Sequence, residues 1–319
     1  LVVAMGARAN FFGTEGADEH AFALYTLNDA VKLKNHVLEL FEEAVKMDPA
    51  EAAGHLDMVI VGGGPTGVET AGAMADLYHE TFTHDAPRLP MDEARITLVE
   101  HGDRLLHMFD ESMSDYTRQA LEERGVTVRL GESVKSIGSD SVKLATGEEI
   151  RATTTVWGAG LKANPIASTL ADDLQHGRVP VGGLLNLADR PEVFVVGDLA
   201  WITDSKTGEV LPQLGSVALQ AGEHVGKTID RTLRKHKDPK PFHYLDKGTM
   251  ATIGRGAAVA VVPPDIHMTG KPAFLAWGAV HLALLNGADS KTAALTNWFW
   301  TFMSHDRPSR VLIHPDEED

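Results

Sequence analysis

The segment VIVGGGPTGVE, residues 59–69, constrains this chain more than any other. It places Gly62, Gly64 and Gly67 in G-x-G-x-x-G spacing, directly after an apolar run (Leu56 to Val61) and directly before an expected helix (Pro65 to Tyr78). The first glycine suits a tight turn, the second a close backbone approach to a pyrophosphate, and the third helix-on-sheet packing. The helix N-terminus adds free N–H groups and a positive dipole end. Gly62, Gly63, Gly64, Pro65, Thr66 and Gly67 are therefore read as a dinucleotide cradle, the alternative being a structural glycine turn.

Glu100 ends the next expected strand, Arg95 to Glu100, and is the candidate acceptor for ribose hydroxyls. It lies farther from the glycines than usual, which a polar excursion over 79–94 explains. A carboxylate there favours NAD over NADP because a 2′-phosphate meets like charge, although His101 and Arg104 stand nearby. The alternative is a solvated strand-end acid. Glu69, in the first turn of the helix, is either a carboxylate favoured by the helix dipole or a group beside reacting cofactors.

Elsewhere the pattern is α/β. LVVAMGA (1–7) reads as a buried strand. A helix starts at Thr26, with Asp29 three residues on, and carries Leu27, Val31, Val37, Phe41 and Val45 on or near one face. A helix over Asp110 to Arg124 ends at Gly125. Short β segments fill Val126 to Trp157, with turns at Gly131, Ser139-Asp140 and Gly147. Val193 to Val196 runs into Gly197-Asp198, and a helix spans Leu214 to Leu233. Residues 234–243 look like a boundary, and an acidic tail closes the chain at Asp316 to Asp319.

Composition removes several functions. With 29 Lys+Arg against 45 Asp+Glu, the formal net charge of -16 disfavours nucleic acid and anionic membrane surfaces. The chain has no cysteine, which rules out a dithiol relay, thiolate metal sites and a cysteine nucleophile. The 15 histidines show no metal-ligand spacing, so no metal site is expected and they are assigned to surface and loops.

Four pieces stand in order: LVVAMGAR, VIVGGGPTGVETAG, TTVWGAG, and VFVVGDLA followed by LPQLGSVALQAG. Together with the end segment NWFWTFMSHDRPSRVLI they resemble the two-dinucleotide-fold flavoprotein reductases, specifically the type II NADH dehydrogenases. The resemblance implies two Rossmann-like domains, an incomplete FAD domain with an NAD domain inserted, and a C-terminal membrane-associating region. Residues 1–48 are then the end of the first FAD segment and a connecting helix, 49–160 the NAD domain, 161–235 the second FAD segment, and 236–319 the membrane-associating part. A first flavin-binding strand-turn-helix is expected ahead of Leu1.

By the same resemblance Gly6 and Ala7 lie near the flavin, where Met5 replaces a usual threonine. Gly197, Asp198, Gln213 and Leu214 hold FAD, and Ala159 and Gly160 approach the nicotinamide. Glu69 and Gln220 take part in the chemistry, and Ser216, Gln220 and Ala221 face the quinone. Here the family's A-Q-x-x-x-Q-Q pattern is altered: Ser216 and Ala221 stand in place of glutamines, and Gln220 alone survives.

Between Pro272 and His305 the only charged residues are Asp289 and Lys291, and three of the five tryptophans fall there. The segments are too short to span a bilayer, which takes roughly 18 or more apolar residues, but long enough to lie in its interface. A buried helical hairpin or dimer contact is the alternative. His281 reads as a hydrogen-bonded core histidine, or else as a quinone-site group. The implied activity is transfer of electrons from NADH through FAD to a membrane quinone without proton pumping. Attachment is expected to be monotopic through residues 273–304, on the cytoplasmic face of the cell membrane, with a homodimer left open. The rival readings are a soluble NAD(P)H-dependent reductase serving a protein carrier and a non-enzymatic redox sensor.

Overall fold

The structure, a computed structural model, describes residues 1–234, 238–285 and 287–304. The acidic tail, the end segment beyond Ser304 and residues 235–237 of the expected boundary lie outside the described residues. Two units emerge, residues 1–10 with 161–246, and residues 11–160 with the part from Lys247 onward.

The larger unit is built on a five-stranded, wholly parallel sheet. Its strand order is Ala21–Ala23, Thr154–Trp157, Met58–Val61, Ile96–Glu100, Val126–Leu130. A parallel sheet is covered on both faces, so its central strands read as continuous apolar runs; all four residues of Met58–Val61 and of Thr154–Trp157 are buried. The edge strand Ala21–Ala23 explains why residues 11–48 belong to this unit rather than with residues 1–10. After that strand, Thr26 and Asp29 form a capping box on the helix Leu27–Ala44. That helix buries Leu33, Val37, Phe41 and Ala44, while Leu27 is 83% exposed, so the apolar stripe starts one turn later than the sequence pattern indicates.

The helix opened by the glycine turn, Pro65–Asp76, does not stop at Tyr78. It runs on through a π-helical stretch, Leu77–Phe82, and a last turn, Thr83–Asp85. The expected polar excursion over 79–94 thus begins as helix and supplies core residues. Phe82 stacks on Phe41 with ring centroids 3.8 Å apart, an aromatic contact worth about 0.5–1.5 kcal/mol beyond burial. Tyr78 donates to the carbonyl of Leu56, and Leu89 and Met91 are buried. The histidines and prolines around these residues concealed the apolar pattern.

A helix, Glu111–Glu122, and an antiparallel meander over Val134–Ile137, Ser141–Leu144 and Glu149–Arg151 complete the first stretch. The unit continues with a three-stranded antiparallel sheet, ordered Thr249–Gly254, Ala257–Val262, Ile266–Thr269. Two apolar helices follow, Gly270–Leu284 and Ala288–Ser304.

The smaller unit holds three short strand pairs. Val2–Val3 runs parallel to Phe194–Val195, Ala7–Ala9 antiparallel to Leu161–Ala163, and Val179–Pro180 parallel to Ala200–Trp201. Its core gathers Val179, Leu187, Val195, Leu199, Ile202 and Val217. The opening segment is only half the buried strand expected: Val3 is buried, but Val2 is 45% exposed and Met5 is exposed too. Residues 238–246, expected to open the C-terminal part, belong here with the helix Gly215–Leu233.

Candidate functional site

In the larger unit the glycines are required by close approach. Gly62 has φ +110°, and a Cβ there would lie 2.7 Å from the Ala159 Cα. A Cβ on Gly67 would lie 1.8 Å from the Gly62 carbonyl oxygen. The turn therefore closes against residues 158–159 on one side and its own helix on the other. Gly64 differs, because nothing lies within 4 Å of its Cβ position. It forms the helix N-cap without a side-chain cap, followed by Pro65. Uncapped N–H groups beside open space are what a pyrophosphate needs.

Glu100 ends the neighbouring strand with its side chain 12% exposed. Its carboxylate accepts from Gly63 N–H at 2.5 Å and from Gly102 N–H at 2.6 Å. His101 Nδ1 lies 2.8 Å away. Oε1 meets both Gly102 and His101, while Oε2, bonded to Gly63, keeps a further lone pair for a ribose hydroxyl. The Arg104 guanidinium donates to the His107 carbonyl. Ala159 packs against the turn, while Gly160 faces Phe12, whose ring would lie 2.7 Å from a Cβ there.

Glu69 accepts from Thr252 N–H at 3.1 Å. Burial pushes its carboxyl pKa up, and the Thr252 bond and nearby His281 act the other way. Sequence reasoning missed the rest of this contact. A Cβ on Gly72 would lie 2.1 Å from the Ile253 carbonyl oxygen, and Asp76 accepts from Arg255 N–H at 2.7 Å. Glu69, Gly72 and Asp76 are spaced to share one helix face. Two carboxylates thus receive main-chain N–H groups, one from the strand Thr249–Gly254 and one from the turn just after it, on either side of a glycine that lets the backbones meet. Their partners lie about 180 positions away in sequence, so no local signal marks them.

His281 is not a core histidine. It is exposed, its Nδ1 lies 2.8 Å from the Trp277 carbonyl oxygen, and its ring stacks on Trp277 at 4.3 Å. His36 departs from the surface assignment in the other direction: it is half-buried on a helix, and burial holds its pKa below the usual value. Among the described residues no cluster of three His, Asp or Glu side chains is placed to hold a metal ion.

In the smaller unit Gly197 adopts φ +69°, and Gln213 Nε2 donates to the Asp198 carbonyl at 2.9 Å. Leu214 caps the helix Gly215–Leu233 without a side-chain bond, leaving N–H groups free. Gly6 has φ +61°, and Ala7 pairs with Ala163. Ser216 Oγ lies 2.9 Å from Tyr244 OH. Gln220 is bound through both amide atoms to the main chain of Leu245, at 2.9 and 3.0 Å. Ala221, expected to face a substrate, is fully buried in the core and presents no surface. A partly exposed carboxylate at Asp198 beside a left-handed glycine, with an uncapped helix N-terminus in the same unit, is a donor and acceptor set that fits the polyol and ring oxygens of a flavin.

Residues 1–222 match the family model described as pyridine nucleotide-disulphide oxidoreductase. The chain belongs to that family. Type II NADH:quinone oxidoreductase Ndh of Mycobacterium tuberculosis is 32% identical over 319 residues, covering 96% of this chain and 67% of the relative. NdhA of the same organism is 33% identical over 326 residues, covering 98% and 68%. The chain thus spans about two thirds of these relatives. Within the wider family it is a member of the type II NADH:quinone oxidoreductases. NDH2 from Plasmodium falciparum in complex with NADH has the same fold, with TM-score 0.88 over 98% of this chain and 79% of that one at 18% identity.

Proposed function

We propose that this protein passes electrons from NADH through FAD to a membrane quinone, without coupled proton translocation. The observation that carries the reading is the glycine turn with its uncapped helix N-terminus and the poorly exposed Glu100 beside it. Family membership supplies the flavin and the quinone as partners of that turn. With no cysteine in the chain, electrons do not pass through a disulphide within it.

The chain's own residues bind and orient. The amides at the start of Pro65–Asp76 would take the NADH pyrophosphate, and Glu100 the adenosine ribose. Asp198, Gly197, Gln213 and the N-terminus of Gly215–Leu233 would hold FAD, with Gly6 and Ala7 close by. FAD, when bound, supplies the two-electron carrier between nicotinamide and quinone. Burial raises the pKa of the Glu69 carboxyl, which favours its protonated form and suits it to handle a proton. Gln220 has both amide atoms engaged by Leu245, and the Ser216 hydroxyl pairs with Tyr244 OH. On that helix the hydroxyl pair Ser216–Tyr244, with lone pairs to spare, is therefore the group that would meet a quinone oxygen.

No helix among the described residues is long and apolar enough to cross a membrane. The two C-terminal helices instead expose Leu275, Leu284, Leu295, Phe299 and Trp300. This pattern supports attachment in the bilayer interface, on the cytoplasmic face of a cell membrane. Steady-state NADH oxidation with a water-soluble quinone and added FAD tests the reading. Sustained turnover is expected; turnover only with a protein carrier, or none at all, would replace it with one of the two rival functions.

A further inference from the structure

Arg178 immediately precedes the strand Val179–Pro180, which pairs with Ala200–Trp201. Its Nη1 donates to the carbonyls of Leu211 at 3.1 Å and Ala200 at 3.4 Å. The guanidinium lies over the Trp201 ring, 4.3 Å from its centroid. These contacts have a common geometry. The chain leaves Asp198, runs out as a hairpin in which Leu211 N–H bonds Ile202 and Thr203 bridges Val210, and returns to Gln213. Ala200 is two residues after Asp198 and Leu211 two before Gln213, and Gln213 itself bonds the Asp198 carbonyl. One side chain therefore pins both legs of the hairpin just where they leave the two flavin-side residues.

The charge on that side chain needs a reason. Half-burying a guanidinium is costly unless it is paired, and among the described residues no ion pair at contact distance is formed by Arg178. Burial accordingly lowers its pKa, and the opposing influence is the carboxylate of Asp198. A neutral side chain of similar length could fill the space over Trp201 without that cost. What it could not do is hold two carbonyls on one nitrogen while placing a positive charge that Asp198 feels.

We propose that Arg178 is a positioning residue for the flavin site, fixing the Asp198–Gln213 clasp so that Asp198 meets the flavin polyol. The proposal rests on the flavin reading above. Its test is FAD affinity of the apoprotein, followed by flavin fluorescence, for Arg178→Met, Arg178→Lys, Asp198→Asn and the Arg178→Met/Asp198→Asn double variant, with thermal unfolding in parallel. Arg178→Met should weaken FAD binding about tenfold or more, the scale of losing hydrogen bonds from a charged group. Arg178→Lys, which keeps the charge but replaces the planar group over Trp201 by a shorter, compact ammonium, should fall between it and wild type at an unchanged melting temperature.

The decisive comparison is the double variant. If Arg178 acts through Asp198, the double variant binds FAD no more weakly than Asp198→Asn alone; losses that multiply would show Arg178 to be a general structural support and overturn the proposal. Should Arg178→Met fail to fold, Arg178→Lys decides, and wild-type affinity in that variant overturns the proposal. A wild-type chain that binds no FAD at all would remove the flavin reading and the proposal together, whereas binding that ignores Arg178 removes the proposal alone.

Discussion

Changing Glu100 to Gln separates the charge of that side chain from its hydrogen bonding. The carboxylate takes amide protons from Gly63 and Gly102 on its two oxygens. Glutamine keeps an acceptor for one amide and turns a donor toward the other. One buried amide left unpaired costs about 1–3 kcal/mol, which would slow NADH turnover at low substrate about fivefold or more. The effect on NADPH has the opposite sign. Its 2′-phosphate carries about −1.5 to −2 charges, and two unit charges about 5 Å apart repel by about 3 kcal/mol at an effective dielectric of about 20. Since the Glu100 side chain is 12% exposed, solvent screens it only partly. Glu100→Gln should therefore reduce the NADH-over-NADPH preference in kcat/KM by about ten- to a hundredfold. Steady-state kinetics with both nucleotides at low and high salt reads this directly, and the wild-type preference should shrink with salt while that of the variant does not. Equal losses for the two nucleotides, with the ratio unchanged, would refute the ribose assignment and leave Glu100 as a brace for the turn.

The glycines of the turn should separate by role. Gly67→Ala drives a methyl into the Gly62 carbonyl and should lower the melting temperature and abolish NADH binding. Gly64→Ala, with open space at its Cβ position and an ordinary φ of −76°, should fold normally yet bind NADH more weakly; a stable Gly67→Ala chain would contradict the geometry. His36 lies 3.0 Å from Thr154 Oγ1, against Phe22, and its folded pKa is lowered by burial. The unfolded chain therefore takes up the proton first as pH falls, so this contribution to stability is complete above about pH 6.5 and lost below it. Thermal unfolding at pH 7.5 and 5.5 should show a drop that His36→Gln lessens, and an identical drop in the variant would exclude His36 as a cause. Leu275→Asp with Phe299→Asp should weaken binding to phospholipid vesicles, read by co-sedimentation, by about a hundredfold or more, the scale of losing two buried apolar side chains; undiminished binding would argue against the helices as the attachment surface.

What the sequence makes legible is what short-range chemistry decides. The glycine turn, the Thr26–Asp29 capping box and the glycine stop at Gly125 each depend on residues a few positions apart, and each stands where the pattern places it. The hidden parts depend on distant partners. Residues 11–48 join the larger unit through three paired residues of an edge strand, too few for a period to show. Tyr78 and Phe82 are core residues because Phe41 lies opposite, and their own neighbours are polar. Ala221 sits in a motif whose family role invites a functional reading, yet full burial gives it a packing role in this chain.

Glu69 shows why the candidate site was only half legible. The sequence offered two uses for a carboxylate in the first turn of a nucleotide-binding helix, favourable dipole or cofactor chemistry, and both look inward to the helix and its ligand. The structure adds a third constraint from outside. Thr252 N–H, taken by Glu69, belongs to the edge strand Thr249–Gly254, and Arg255 N–H, taken by Asp76, to the turn just after it; such groups must find acceptors when covered. That strand leads through Ala257–Val262 and Ile266–Thr269 to the exposed apolar helices. The Glu69 carboxyl therefore answers to nucleotide helix and C-terminal sheet at once. Its raised pKa follows from the burial this docking imposes, so any change that lifts Thr252 from the helix alters the protonation of Glu69 without touching either substrate.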